Sequence, residues 1–443
     1  MSSAVSAMRA LVVRSGQVLF VRVSGAGLGF VFQVVMARML GAQGAGVLAI
    51  ALTSLVVGSV VARFGADVLA LRTAASLVER HDWRRLGEFE RRIVFMVGSM
   101  ALVLGIVGVW AGPLLAQFVF KSPPLATPWS IVALSLPPYS LIVLYGELMK
   151  GAERHKMAAF FQGVGIPLVA ILGLAVFARQ QPEPATVATI YTCAVWCVAL
   201  VQVACWRMMA WQLARAGRAT RRNVESLEAP SEVEYEPAYR SLVSLYGASM
   251  AAIAMAWTDL LLLGIWRPAA EVGLYNAATR LAMLTGFVLM AVNSVVAPRF
   301  AAAQTRGGGL ELVQTARHAA LLCTGATLPA VLIFAMFGET LLSLFGPEFV
   351  GAYLVLIILS LGQLVNAVTG PVGYLLNMTG HHRVEAGISI GAAILNLLLC
   401  VLCIPAYGLL GAAIASAAAL TICNLVRLVA VRRFLGWWAY PAL

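Results

Sequence analysis

What this chain has least of is charge. Only 11% of its 443 residues are Asp, Glu, Lys or Arg, where a soluble domain holds about 25%. With 61% hydrophobic residues and a mean hydropathy of +0.89, a water-soluble fold is excluded and a polytopic membrane protein is indicated. Cysteines number seven and show no regular extracellular spacing, which excludes a disulfide framework. Cys400 and Cys403 have CxxC spacing but lie mid-helix without His partners, so packing accounts for them and no metal site is expected. Residues 1–10 carry no apolar run before Arg9, so a cleavable signal peptide is not expected and the first helix should stay in place.

Catalytic and nucleotide-binding patterns are equally scarce. "GAGLG" at Gly25–Gly29 has the spelling of a dinucleotide fingerprint but lies inside an apolar helix with no strand before it. "GGG" at Gly307–Gly309 lacks the Lys and Ser/Thr of a phosphate loop. The Ser and His residues form no nucleophile arrangement, so no catalytic residue, no enzyme activity and no cofactor are expected. The net charge of +12 does not imply nucleic acid, because the basic residues are scattered between apolar runs rather than gathered on one face.

What is present is a succession of apolar runs. About twelve are long enough to span a bilayer. They fall near 15–37, 45–70, 93–112, 125–149, 157–178 and 185–206, then near 241–265, 273–297, 318–337, 350–376, 386–404 and 409–426. With the N-terminus inside, the outer loops hold only Arg38, Lys121, Arg179 and Arg267, and the spans hold Arg22, Arg63 and Arg280. The remaining Lys and Arg all fall on the inner side, a bias that places both termini in the cytoplasm. One long polar stretch, Arg207–Arg240, starts basic and turns acidic. It reads as an interfacial helix and linker over 208–240, joining a six-helix lobe at 1–207 to a second at 241–443. Six is an even number, so the two lobes share one orientation, as in a parallel internal repeat around a central cavity. Pro137, Pro138, Pro167, Pro329 and Pro371 lie within the runs, as kinks or hinges.

The most informative stretch is Trp257–Arg299, which reads as two spans joined by a turn around Arg267–Glu271. Asp259 before the turn and Arg280 after it lie at equal depth, roughly 10 Å inside the bilayer, and can pair across the hairpin. "GLYNAA" at Gly273–Ala278 matches "GVLAIA" at Gly46–Ala51, and "GHHR" at Gly380–Arg383 matches "GAER" at Gly151–Arg154 at nearly the same spacing. Two such matches suggest a duplicated unit. Arg63 and Asp67 are spaced i,i+4 and suit a structural or gating ion pair on one helix face. Arg22 has no acid nearby in sequence, so its partner is another helix, a wet cavity, an anionic ligand or the inner interface. Gln33, Asn293, Asn366 and Asn396 suit either sugar hydroxyls in a cavity or hydrogen bonds between helices.

Three passages carry a resemblance to a known family: "ARMLGAQGAGVLAIA" (Ala37–Ala51), "DLLLLGIWRPAAEVGLYNAATRL" (Asp259–Leu281) and "ILNLLLCVLCIPAYGLLGAAIAS" (Ile394–Ser416). The chain resembles the multidrug/oligosaccharidyl-lipid/polysaccharide flippase superfamily, in its polysaccharide transporter branch, the O-antigen-type flippases. The resemblance implies an all-α, V-shaped pair of lobes working by alternating access in a bacterial inner membrane. It implies a polyprenyl-pyrophosphate-linked oligosaccharide as substrate, turned outward for surface polysaccharide synthesis. Arg22, Gln33, Asp259, Arg280, Asn293 and Asn396 then become cavity candidates for pyrophosphate or sugar. Expected partners are membrane lipids, a polysaccharide polymerase and glycosyltransferases, with no nucleic acid, and the chain is expected to be a monomer. Buried arginines suit a pyrophosphate, and a polar cavity replaces the water that sugar hydroxyls would lose in hydrocarbon.

The pattern also departs from relatives. Lipid II flippases have fourteen helices, which disfavours a peptidoglycan precursor. Drug exporters of the superfamily often carry a carboxylate in the first helix, where this chain has Arg22 and Gln33. A cation-coupled exporter of small molecules stays open as the alternative, because Asp259 could bind a coupling ion, and the choice between H+ and Na+ is open. The loop after the second helix lacks the Gly-x-x-x-Asp-Arg pattern of the major facilitators. Short outer loops disfavour a polysaccharide polymerase or ligase.

Overall fold

A computed structural model of the chain describes residues 2–177, 182–222, 242–286 and 309–437, with single positions between 289 and 303. Among them every regular element is helical. In chain order these are α1 (Ser2–Arg63), α2 (Ala66–Glu79), α3 (Trp83–Leu114), α4 (Ala126–Ala133), α5 (Leu136–Gly151), α6 (His155–Ala159), α7 (Ile166–Phe177) and α8 (Pro184–Arg222). The second half continues with α9 (Leu242–Trp266), α10 (Ala269–Leu284), α11 (Gly309–Ser343), α12 (Tyr353–Thr369), α13 (Val372–Met378) and α14 (His382–Leu435). The basic start of the expected connector prolongs α8 to Arg222, and its acidic remainder lies outside the described residues.

Among the described residues, seven helices are long and apolar enough to cross a membrane. Two of them, Gly16–Arg63 with 48 residues and His382–Leu435 with 54, far exceed the ~20 residues one crossing needs. Each is broken at a single glycine, Gly41 (φ 66°) and Gly408 (φ 56°). A residue with a Cβ rarely adopts that backbone, so glycine marks both breaks. The α4–α5 pair is bent by 48° and forms a further broken span, with Pro137 and Pro138 in the first turn of α5. There their missing N–H costs no helical bond. Pro371 likewise follows Gly370 (φ 69°) in the break between α12 and α13. With these breaks resolved and the shorter α9 and α10 included, the fold agrees with about twelve spans.

A new helix start leaves amide N–H groups without intrahelical acceptors. After Gly41, the N–H of Ala42 donates to Glu348 Oε1 at 2.8 Å. After Gly408, the N–H of Leu409 donates to Glu271 Oε2 at 3.3 Å. Glutamates from other elements therefore cap both breaks. Glu348→Ala should lower the thermal unfolding midpoint by the equivalent of about 0.5–2 kcal/mol, the usual worth of such a cap, while Glu348→Gln, which keeps an acceptor, loses less. Equal losses in both variants would mean that the charge, and not the acceptor, matters.

Two compact units emerge from the contacts. The first comprises Met1–Phe32, Ser54–Leu114 and Leu125–Ser249. Its core runs through Leu77, Phe89, Ile93, Leu144, Tyr145 and Trp206, where α2, α3, α5 and α8 pack together. The second comprises Gln33–Thr53, Leu115–Pro124 and Met250–Leu443. In it α12 is central and packs against α10, α11 and α14.

The second unit contains a close crossing. A Cβ built on Gly46 overlaps the carbonyl of Ala269 and comes within 2.9 Å of the Gly273 nitrogen. A Cβ built on Gly273 overlaps the carbonyl of Ala42 and comes within 3.1 Å of the Gly46 nitrogen. The two contacts mirror each other, so the Gly46 and Gly273 segments, matched in sequence, are related by a local twofold. The other sequence match falls in a different register. Arg154 N–H donates to Met149 O (2.8 Å) after positive-φ Glu153, and His381 N–H donates to Leu376 O (2.9 Å) after positive-φ Gly380. The counterpart of Glu153 is therefore Gly380, whereas matching letters set Gly151 against Gly380. Backbone geometry persists in a repeat after residue identity has drifted.

Candidate functional site

Polar side chains inside apolar helices mark the candidate sites, because each must find a partner or a wet space. In the second unit they gather around Asp259. Its carboxylate is buried at 6% exposure. Oδ2 accepts from the Tyr275 hydroxyl at 2.5 Å and the Ser416 hydroxyl at 2.7 Å, and Oδ1 from the Leu260 N–H at 2.8 Å. Beside Tyr275, the buried Asn276 amide donates to Gln33 Oε1 at 3.2 Å. Three donors on one carboxylate repay part of the ~2.5–3.5 kcal/mol a charged Asp costs at a helix centre in lipid. The arrangement can hold the anion, and loss of one hydroxyl leaves it under-satisfied.

Arg280 does not supply these bonds. Its guanidinium lies 5.4 Å from the centre of the Trp257 ring, a cation–π placement. Equal depth along two helices does not set the direction a side chain faces, which turns by about 100° per residue. A double-mutant cycle should therefore couple Asp259→Ala to Tyr275→Phe with an interaction energy of about 0.5–3 kcal/mol. Asp259→Ala and Arg280→Ala should add within about 0.5 kcal/mol. The reverse result in thermal unfolding would restore the pairing across the hairpin.

Other candidates are placed differently. Asn396 is fully buried; its Oδ1 lies 3.8 Å from the Cys400 thiol, and among the described residues its Nδ2 has no partner. Asn293 is half-buried, and among the described residues its Oδ1 has no partner. Asn366 accepts from Asn424 at 3.1 Å and donates to Gln363 at 3.3 Å, which is a helix-joining role.

In the first unit Arg22 is exposed on α1 and, among the described residues, has no carboxylate partner. Arg63 and Asp67 do pair, at 2.7 Å, and Arg63 also donates to Ser59. They are not on one continuous helix, however. The chain breaks at Phe64 (φ 44°) and Gly65 (φ 79°), and the ion pair bridges the end of α1 and the start of α2. Phe64 stacks on Tyr246 with ring centres 4.5 Å apart.

Sequence reasoning passed over several members. Tyr275 and Asn276 stand where the first copy of the repeat has Leu48 and Ala49, so a polar gain between the two copies was the available signal. Glu385 and Arg427 form a paired fork at 2.6 and 3.1 Å, joined by Ser389 and Asn424. Their separation along the chain hid them.

Comparison with known proteins accords with this helical plan. The model of the family described as Polysaccharide biosynthesis protein matches residues 15–304. The chain belongs to that family. A second family model, MatE, matches residues 246–402. The chain is 25% identical over 190 residues to the probable low-salt glycan biosynthesis flippase Agl15 of Haloferax volcanii, a match covering 41% of this chain and 40% of that protein. Its fold is similar to the lipid II flippase MurJ in an inward closed conformation, with TM-score 0.71 and 12% identity, over 95% of this chain and 87% of that one. It is also similar to an inward-facing multidrug resistance MATE family transporter, with TM-score 0.75 and 11% identity, over 94% and 98%. As a family member the chain is a multi-pass membrane protein of the multidrug/oligosaccharidyl-lipid/polysaccharide superfamily.

Proposed function

We propose that this protein is a flippase that turns polyprenyl-pyrophosphate-linked oligosaccharide from the cytoplasmic to the outer leaflet of a bacterial inner membrane, for surface polysaccharide synthesis. The observation that carries this reading is the polysaccharide family match over residues 15–304. The glycan flippase Agl15 supports it as a partial relative. The physical logic is that a sugar head cannot shed its water into hydrocarbon, so a carrier must supply substitute hydrogen bonds and countercharge. Arg22, an exposed arginine in an apolar helix, offers a bidentate donor to a phosphate. Alternating access lets one binding passage face each leaflet in turn, with both termini on the cytoplasmic side. Deleting the gene and analysing the lipids of each leaflet tests the reading. Accumulation of lipid-linked oligosaccharide in the inner leaflet is the expected result, and an unchanged distribution overturns it.

A second reading, a cation-coupled exporter of small molecules, draws on the MatE match and on Asp259 as a site for H+ or Na+. Unchanged surface sugars with altered drug tolerance in the deletion strain would favour it.

A further inference from the structure

The first unit holds a pocket of about 520 Å³, lined by Val18, Trp83, Glu153, Arg154, His155 and Lys156 among others. We propose that this pocket binds the sugar-diphosphate head of the lipid-linked substrate before translocation. The inference rests on the flippase reading and names an entry site for it on the cytoplasmic side, apart from the residues around Asp259.

The chemistry of the lining selects this occupant. Arg154 and Lys156 are exposed, and among the described residues neither has a carboxylate partner. Two cations beside a His suit a diphosphate, which offers several acceptor oxygens. Glu153 does not suit a site for phosphate alone, since its charge opposes the anion. A carboxylate does accept hydrogen bonds from sugar hydroxyls, and the face of an indole such as Trp83 packs against the apolar face of a sugar ring. Glu153 is held in place by its left-handed backbone (φ 59°) in the turn after α5, so acid and base are presented side by side by one short turn.

The pocket is also the open end of a wedge. Val18 brings α1 into the lining, and His155–Met157 bring α6. Further along both segments the backbones meet, where a Cβ on Gly25 would stand 2.8 Å from the Gly163 carbonyl carbon. Arg22 lies one turn beyond Val18 on the same side of α1, about 6 Å further along the axis. A head group held at Arg154 and Lys156 thus has its next cation a helical turn away, between the pocket and the point where the wedge closes. The phosphates can pass from one pair of donors to the next without crossing bare hydrocarbon.

The test uses the purified full-length chain in nanodiscs of phosphatidylcholine. The probes are farnesyl diphosphate carrying one N-acetylglucosamine, unglycosylated farnesyl diphosphate, inorganic pyrophosphate and phosphatidylglycerol. The Arg154→Ala/Lys156→Ala double variant, altered only at exposed positions, should bind both farnesyl probes about tenfold or more weakly, ~1.4 kcal/mol per tenfold. Glu153→Gln should weaken only the glycosylated probe. Equal binding by wild type and double variant overturns the proposal. So does displacement of the glycosylated probe by phosphatidylglycerol or pyrophosphate at equal concentration, which would make the pocket a general lipid or anion site. This outcome differs from failure of the flippase reading, which shows as an unchanged leaflet distribution in the deletion strain while probe binding persists.

Discussion

Replacing Arg22 with Glu is expected to abolish surface polysaccharide export while leaving the protein inserted at wild-type levels. Arg22 sits in an apolar helix, is exposed, and meets no carboxylate among the described residues. On the flippase reading its charge is offered to the phosphates of the substrate. A phosphate roughly 4 Å away gains about 4 kcal/mol from that charge at an effective dielectric near 20, and reversal turns attraction into repulsion of like size. Export should fall at least about a hundredfold, since ~1.4 kcal/mol is a factor of ten. Arg22→Lys, which keeps the charge but not the planar fork, should fall between the two. Full export by a well-expressed Arg22→Glu protein would rule out a role for this residue in holding the anion.

The crossing of Gly46 with Gly273 carries the second large effect. A Cβ on Gly46 meets the Ala269 carbonyl, and one on Gly273 meets the Ala42 carbonyl. Backbone cannot rotate aside as a long side chain does, so even alanine forces the segments apart. Each of Gly46→Ala and Gly273→Ala should destabilise this arrangement by about 1–3 kcal/mol, read as a lower unfolding midpoint in detergent. The double variant should lose much less than the sum, because the first substitution already opens the gap that the second needs. Strict additivity would show that the two glycines do not share one contact. Gly27, around which a Cβ meets nothing within 4 Å, is the control, and Gly27→Ala should be nearly neutral.

How much of this was legible beforehand depends on the range of the interaction. The spans, their number and a hairpin turn around Arg267–Glu271 follow from runs of apolar residues and from where charges interrupt them, which are local properties, though in the structure α10 already starts at Ala269. The match of Gly46–Ala51 with Gly273–Ala278 was visible in letters and marks a true local twofold. The match of "GAER" with "GHHR" was misread in register, because identity and backbone geometry had parted there. Arg63 and Asp67 were legible as a pair, but the break at Phe64–Gly65 that they bridge was not. Nothing in the composition of that stretch forbids a continuous helix.

Side-chain partners across the fold were the least legible. Asp259 could be picked out as a buried acid from its apolar surroundings alone, yet its donors are Tyr275 and Ser416, not the arginine at matching depth. Depth along a helix is counted in residues, whereas facing depends on rotation, tilt and the helix behind, and only packing sets those. By itself the sequence determined that the chain lives in a membrane, how often it crosses, and which residues are too polar to lie there idle. The tertiary structure alone decided which of those residues meet, because hydrocarbon drives every apolar run inward alike and leaves the choice of neighbour to shape and hydrogen bonding.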